Sequence, residues 1–320
     1  MAQPWSRPQL KFQTKVLIPV VTVMALFLMG TMWLVNNRIE EQLQNETTAL
    51  LFTAQAQFTN ALNTYSENLV RQYRTIPDHP DFFYIAALFQ NPSDDKNIAV
   101  ATMREKLIEI LDKQGRENSV LMFAGASGQL LAAANRYAGL DTNQFFARCA
   151  PFIKAVTDSR EAEVHIIQAS NSLFLVVMAP SFQATGGEFL GTLIFGVDMD
   201  STVARQLKSP DSQIAFIAND QVVASTLEKE ELNDALLQDF KALTVASTNN
   251  NDMPATQLPL QGEHYGERPG AFHIPSGQGK ADYLLLVSYE KPLQTLRDER
   301  RYLLLCSLLG ILLSSTIVWA

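Results

Sequence analysis

From Val16 to Val35 the sequence VLIPVVTVMALFLMGTMWLV carries no charged residue, and it passes without a turn signal into NNRIEEQLQNETTALLFTAQAQFTNALNTYSENLVRQY. The first stretch is long enough for a membrane helix, because about 20 apolar residues at about 1.5 Å each cover a ~30 Å hydrocarbon core. The second contains neither Gly nor Pro. Its apolar positions Ile39, Leu43, Leu50, Leu51, Ala54, Phe58, Leu62, Tyr65, Leu69 and Tyr73 recur at helical spacing. One continuous helix is expected, a membrane span over residues 16–35 and a stalk over 36–76.

Pro77 and Pro80 end that helix, and shorter helices are expected over Phe82–Phe89 and Ile98–Leu111 with a polar loop at Asn91–Asp95 between them. From Ser119 the period changes to that of strands. SVLMFAGASGQLLAAANRY reads as a hairpin, and LDTNQFFARCAPFIKAVTDS as a helical connection in two pieces broken near Pro151. EVHIIQA, SLFLVVMAP and FLGTLIFGVDM read as three further strands, and STVARQL as a helix capped by Asp200 or Ser201. This order describes one five-stranded antiparallel sheet with helices on one side. A second, looser copy follows: a hairpin in SQIAFIANDQVVAST, a helix in EELNDALLQDFKAL, then candidate strands TQLPLQGEHYG, GAFHIPS and ADYLLLVSYEK. FAGASGQLLAAAN and FIANDQVVAST share the same apolar spacing. PLQTLRDER leads into a second apolar run, Tyr302–Ala320.

Charge sets the topology. Arg7, Lys11 and Lys15 precede the first span with no acidic residue among them, which places the N-terminus in the cytoplasm and residues of about 36–301 outside. The run is too long for a signal-peptide core, so the anchor is retained. The second span ends as the helix would re-enter the cytoplasm, so the chain is expected to continue beyond Ala320 into an output module. The net charge of −8 gives no footprint for nucleic acid. Cys149 and Cys306 lie on opposite sides of the membrane boundary, so no internal disulfide and no Cys-based metal site is expected. Asp78, His79 and Asp81 read as an interhelical turn, and His264 and His273 fall on different strands without a carboxylate at ligand spacing. There is no nucleophile elbow, zinc helix or phosphate loop, so no catalytic residue, metal or cofactor is expected.

In this combination the sequence resembles the Cache sensor family in its double form. Gly187–Leu207, GEFLGTLIFGVDMDSTVARQL, is similar to the family's Gly-x-x-x-Gly strand, Gly-Val-Asp strand end and following helix. ASGQLLAAANR resembles its hairpin, and SLFLVVMAPSF the strand before the last hairpin. The resemblance covers roughly residues 38–300. It implies an α+β fold: a long N-terminal helix and two tandem PAS-like antiparallel-sheet lobes, flanked by two transmembrane helices. The membrane-distal lobe is expected at 77–208, the membrane-proximal lobe at 209–296, and the helix into the second span at 297–320. It also implies a small-molecule pocket in the distal lobe. One subgroup grips amino acids with an Arg-x-Trp-Tyr-like element, but here Ala150, Phe152 and Ile153 stand at those places, so that specificity is not carried over.

The candidate ligand contacts are Arg136 and Tyr137 at the exit of the first hairpin, Arg148 near the missing guanidinium, His165 on the face of EVHIIQA opposite Val164 and Ile166, and Asp198 at the end of GVD. Asp198 is read either as an acceptor for a ligand amine or as a cap on the following turn, with capping preferred. The expected function is an extracytoplasmic sensory module of an inner-membrane receptor, relaying a signal through its helices as a homodimer; the stalk's apolar stripe is expected both to meet its twin and to be the spine against which both lobes pack. The alternative is a structural envelope protein with two anchors.

Overall fold

In a computed structural model the described residues are 12–89, 96–183, 187–227, 232–247, 256–260, 263–274 and 279–290, with 293–294, 297–298, 301–302, 304–305 and 309–310 beyond them. The expected loop at Asn91–Asp95 and most of the second apolar run lie outside the described residues. One helix, α1 (Phe12–Arg74), accounts for the whole opening pattern, with Pro19 inside it. Then follow α2 (Pro80–Leu88), α3 (Lys96–Gln114), β1 (Ser119–Gly125), β2 (Leu130–Asn135), α4 (Thr142–Ser159), β3 (Glu163–Ala169), β4 (Ser172–Phe182), β5 (Phe189–Asp198) and α5 (Ser201–Leu207). The second unit comprises β6 (Ser212–Ala218), β7 (Gln221–Ser225), α6 (Leu232–Ser247), β8 (Thr256–Leu260), β9 (Glu263–Ala271) and β10 (Ala281–Ser288).

Each unit is a five-stranded antiparallel sheet, ordered β2-β1-β5-β4-β3 and β7-β6-β10-β9-β8. The repeat is therefore one of topology. It extends to detail, because the β1–β2 register shifts between Phe123 and Ala124 and the β6–β7 register between Phe216 and Ile217, the equivalent positions. Asn219 and Asp220 both take positive φ, at 48° and 59°, which is the tight hairpin turn expected of an Asn-Asp pair.

Helices cover both faces of the first sheet, where one side was expected. Alternate residues Leu121, Phe123, Leu175, Val177, Leu193 and Phe195 pack toward α1, α2 and α3, whereas Val120, Met122, Phe174, Val176, Met178 and Ile194 pack under α4. The strands carry apolar residues at successive positions because neither face is left to water. The second sheet repeats this, with Ile214, Phe216 and Leu285 toward α1 and Ala215, Ile217, Leu284 and Leu286 under α6.

Two sequence expectations are corrected. The break expected at Pro151 is absent, and α4 runs unbroken through it. Pro151 sits on the exposed side, and the buried series Phe145, Cys149, Ile153 and Val156 holds the helix to the sheet on both sides of it. TQLPLQGEHYG is two strands, and β9 continues through Glu267, Arg268 and Pro269, which had read as a gap. Among the described residues β8 pairs with β9 as far as Thr256 opposite Glu267, so Pro269 faces no described partner to which its missing N–H would be owed.

Most of the stalk's described apolar stripe packs within the chain, with Leu50 left exposed. Phe58 is 1% exposed and meets Phe216, Phe272 and Tyr283 of the second sheet, with ring centroids 6.4, 6.3 and 4.7 Å away. Four turns on, Tyr73 stacks on Phe195 of the first sheet at 3.7 Å and 13°. Val203, Ala204 and Leu207 of α5 lie in the same core, which runs along α1 from one sheet to the other. The stripe is thus the spine of the protein's own lobes, one of the two roles expected of it. Among the described residues no helix is long and apolar enough to cross a membrane. Within Val16–Val35 the described apolar side chains Val23, Leu26, Phe27, Met29, Trp33 and Leu34 are all exposed, and several others in that run lie outside the described residues.

Candidate functional site

The polar groups closest to a designed cluster lie on the α4 side of the first sheet, where the ends of β2, β4 and β5 meet. Asn135, the last residue of β2, shapes the turn that follows. Its Oδ1 accepts from the Tyr137 backbone N–H at 2.8 Å and its Nδ2 donates to the Leu140 carbonyl at 3.3 Å. Asp141 then caps α4, accepting from the N–H groups of Asn143 and Gln144 at 2.9 and 3.2 Å. This short turn folds the Tyr137 ring over Phe174, centroids 5.3 Å apart, and brings its hydroxyl 2.7 Å from Ser172 Oγ.

Ser172 is also hydrogen-bonded to the Asp198 side chain. A serine has one proton to give, so when it donates to the carboxylate, Tyr137 donates to it. Asp198 stands opposite Phe174 in the β4–β5 register and is 8% exposed. Burial first and the neighbouring Asp200 charge second push its carboxyl up to about 7, with the Ser172 hydroxyl pulling the other way. The cap on the following helix is Asp200, whose Oδ1 accepts from Thr202 and Val203 N–H at 2.8 and 3.0 Å. The capping role preferred for Asp198 therefore belongs to its neighbour, and its carboxyl is turned inward to Ser172 instead.

Of the five expected contacts, the structure brings together Tyr137 and Asp198, through Ser172. Arg136 points the other way and pairs with Asp112 of α3. His165 is on the α4 side, as its alternation with Val164 and Ile166 required, but at the β3 edge. It stacks on Phe152 at 4.1 Å and 25°, with Nε2 3.2 Å from Glu163 Oε2. Burial is the larger influence and holds its pKa below the ordinary histidine value despite that carboxylate. Arg148 is half-buried on α4 beside buried Cys149, whose thiol is pushed up by burial. Ala150 is on the exposed side of α4, while Phe152 and Ile153 turn toward the sheet. Ser172 and Asn135 were missed. Ser172 opens a strand in an Asn-Ser turn and has no local signal of its role; Asn135 lay inside the hairpin motif already singled out.

Between this cluster and His165 the α4 face is apolar. Phe145 lies edge-on to Phe174, centroids 5.1 Å apart, and rests on the bare backbone of Gly196. A Cβ built at Gly196 would lie 2.8 Å from Phe145 and 2.9 Å from Val120, so glycine there lets α4 approach the sheet. Separately, an open groove of about 510 Å³ runs along α1 between Asn63 and Thr75, with Val164 on its far wall. It contains none of the five candidates. Among the described residues no three His, Cys, Asp or Glu side chains are grouped so as to hold a metal ion.

Residues 85–289 match the family described as the double sensory domain of two-component sensor kinase, dCache_3. The chain belongs to this double Cache family. No curated protein matches it. Solved structures to which it is similar include the sensor domain of the Vibrio cholerae histidine kinase DctB, at 13% identity and TM-score 0.42, covering 76% of this chain and 98% of that one. Another is the ligand-binding domain of the Campylobacter jejuni chemoreceptor Tlp3 in complex with L-valine, at 12% and 0.47, covering 80% and 96%. A third is that of the Pseudomonas fluorescens chemoreceptor CtaA in complex with L-serine, at 14% and 0.41, covering 78% and 99%. The α+β double Cache architecture of this chain, two sheets strung along one helix, is the sensory domain that the family describes.

Proposed function

We propose that this double Cache protein is the extracytoplasmic sensory module of an inner-membrane receptor, and that its first lobe, residues 77–208, binds a small molecule on the α4 side of the sheet. The observation that carries the reading is the chain Tyr137–Ser172–Asp198. It sets a hydroxyl and a carboxyl at the edge of a face otherwise made of Phe145, Phe174, Met178 and Ile153, the mix of apolar wall and few convergent polar groups that small ligands require. A ligand with a hydrogen-bond donor would bond Asp198, and Tyr137 would orient it. Arg148 and His165 flank α4 and would contact larger ligands; Arg136, held by Asp112, would act only on the hairpin exit.

Ligand entry would move α4 against the sheet, and the sheet would pass the movement to α1 packed on its other face. The uninterrupted apolar run Val16–Val35, its exposed described side chains and the basic flank Arg7, Lys11 and Lys15 support a membrane span at the start of α1. The second lobe, 209–296, would then lie nearest the membrane. Residues 302–320 would form the second span and carry the signal to an output module. A homodimer would have to use surface other than the stripe already buried on the lobes.

The test is a thermal-shift screen of the chain in detergent against a metabolite panel. At least one compound should raise the midpoint by several degrees, and Tyr137→Phe and Asp198→Asn should each weaken its binding at least tenfold. Equal binding by wild type and both variants would refute this placement of the site.

A further inference from the structure

The second lobe holds a buried carboxyl at a place where the first lobe has an apolar residue. Matching the sheets strand for strand, Ser119 opposite Val197 corresponds to Ser212 opposite Val287, and Val120 opposite Gly196 to Gln213 opposite Leu286. The partner of Gly196 on β4 is Val176, and the partner of Leu286 on β9 is Glu267. Val176 is fully buried in the apolar cluster under α4. At the same place under α6 the chain puts a carboxylate.

Its direction is fixed independently. The preceding residue, Gly266, lies against Thr47 and Leu51 of α1, so Glu267 faces the opposite way, toward α6. Glu267 is 4% exposed, and neither of its carboxylate oxygens has a hydrogen-bond partner among the described residues. Leaving both oxygens buried and unbonded is costly, so such a group in a folded protein needs an explanation. Half-buried Asp239 on α6 adds a second negative charge. Lys280, at the other end of β10, lies over the Phe240 ring at 5.9 Å and pairs with Asp282 at 3.3 Å.

We propose that the α6 face of the second lobe is a binding site for a small organic cation of the primary-ammonium class, with Glu267 as its buried anion, Asp239 as a second acceptor and α6 as its cover. An ammonium suits the site because it brings donors and a single positive charge to an acceptor-only carboxylate. A hard divalent ion would demand more oxygen ligands than these residues supply. The site is distinct from the one proposed in the first lobe. Empty, Glu267 is held near 8 by burial and by Asp239, so at neutral pH it carries a proton. Binding exchanges that proton for the ammonium: the carboxyl O–H bond breaks, the proton leaves to solvent, and the carboxylate accepts from the ligand N–H groups.

The experiment is isothermal titration of the full chain in detergent with ethanolamine and putrescine, and with tetramethylammonium and magnesium as comparators. Saturable binding of a primary amine is expected, with release approaching one proton at pH 7 and an apparent affinity rising about tenfold from pH 6 to 7 and about fivefold from pH 7 to 8. Glu267→Gln, which keeps the shape and removes the charge, should abolish it, and Asp239→Asn should weaken it severalfold. Asp198→Asn should leave it unchanged, separating this site from the first-lobe reading. Absence of saturable binding, binding without proton release, equal binding by Glu267→Gln, or a preference for magnesium would each overturn the proposal.

Discussion

Asp198→Asn offers the sharpest check on the first-lobe cluster, because its effect has a pH signature. The folded carboxyl titrates near 7 against an ordinary value of 3.8. Between these values the folded protein keeps a proton that the unfolded chain has released, so stability contributed by this group falls as pH rises from about 4 to 7 and levels off above. At about 1.36 kcal/mol per unit, the difference amounts to about 4 kcal/mol of destabilisation at pH 8 relative to pH 4. The asparagine amide occupies the same volume and still accepts from Ser172, without titrating. Urea unfolding of the chain in detergent, followed by circular dichroism at pH 3.5, 5, 7 and 8, should therefore show variant and wild type nearly equal at the acid end. The variant should become the more stable by about 4 kcal/mol at pH 8. Glu267 titrates in both proteins, so the difference between them isolates Asp198. A gap independent of pH would refute the reasoning, because it would mean the carboxyl is ionised throughout or is not buried as described.

Three other outcomes follow from the packing. Phe58→Ala should cost about 3–5 kcal/mol, read as a lower urea midpoint, because the ring fills a fully enclosed aromatic cluster between α1 and the second sheet. Phe58→Asp should in addition uncouple the lobes in hydrogen exchange without altering membrane insertion. Gly196→Ala should lose about 1–3 kcal/mol, since its methyl group meets Phe145 and Val120 and must push α4 off the sheet; a neutral midpoint would show that α4 is loosely seated. Arg136→Ala should shift the midpoint by no more than about 1 kcal/mol and leave ligand affinity unchanged, since its partner Asp112 is largely exposed and lies on the α3 side.

The sequence by itself determined the helix Phe12–Arg74, most of the strands and the repeated hairpin, because each is written in a local period of apolar positions. It also determined the family, through Gly187–Leu207 and the Asn135 hairpin. Tertiary structure decided the rest. Pro151 reads locally as a break, and only the sheet beneath α4 shows that packing on both sides outweighs one missing backbone hydrogen bond. Glu267, Arg268 and Pro269 read as a gap between two strands; cross-strand register makes them part of one strand and sends Glu267 under α6. Tyr137, Ser172 and Asp198 lie far apart in the chain, and no local signal joins them. Their meeting depends on which strands are neighbours and in what register. The stalk's apolar stripe is plain in the sequence, where both a twin helix and the two lobes are open as its partners. A stripe specifies that something must cover it, and here the two sheets, strung along it from Phe58 to Tyr73, are what does.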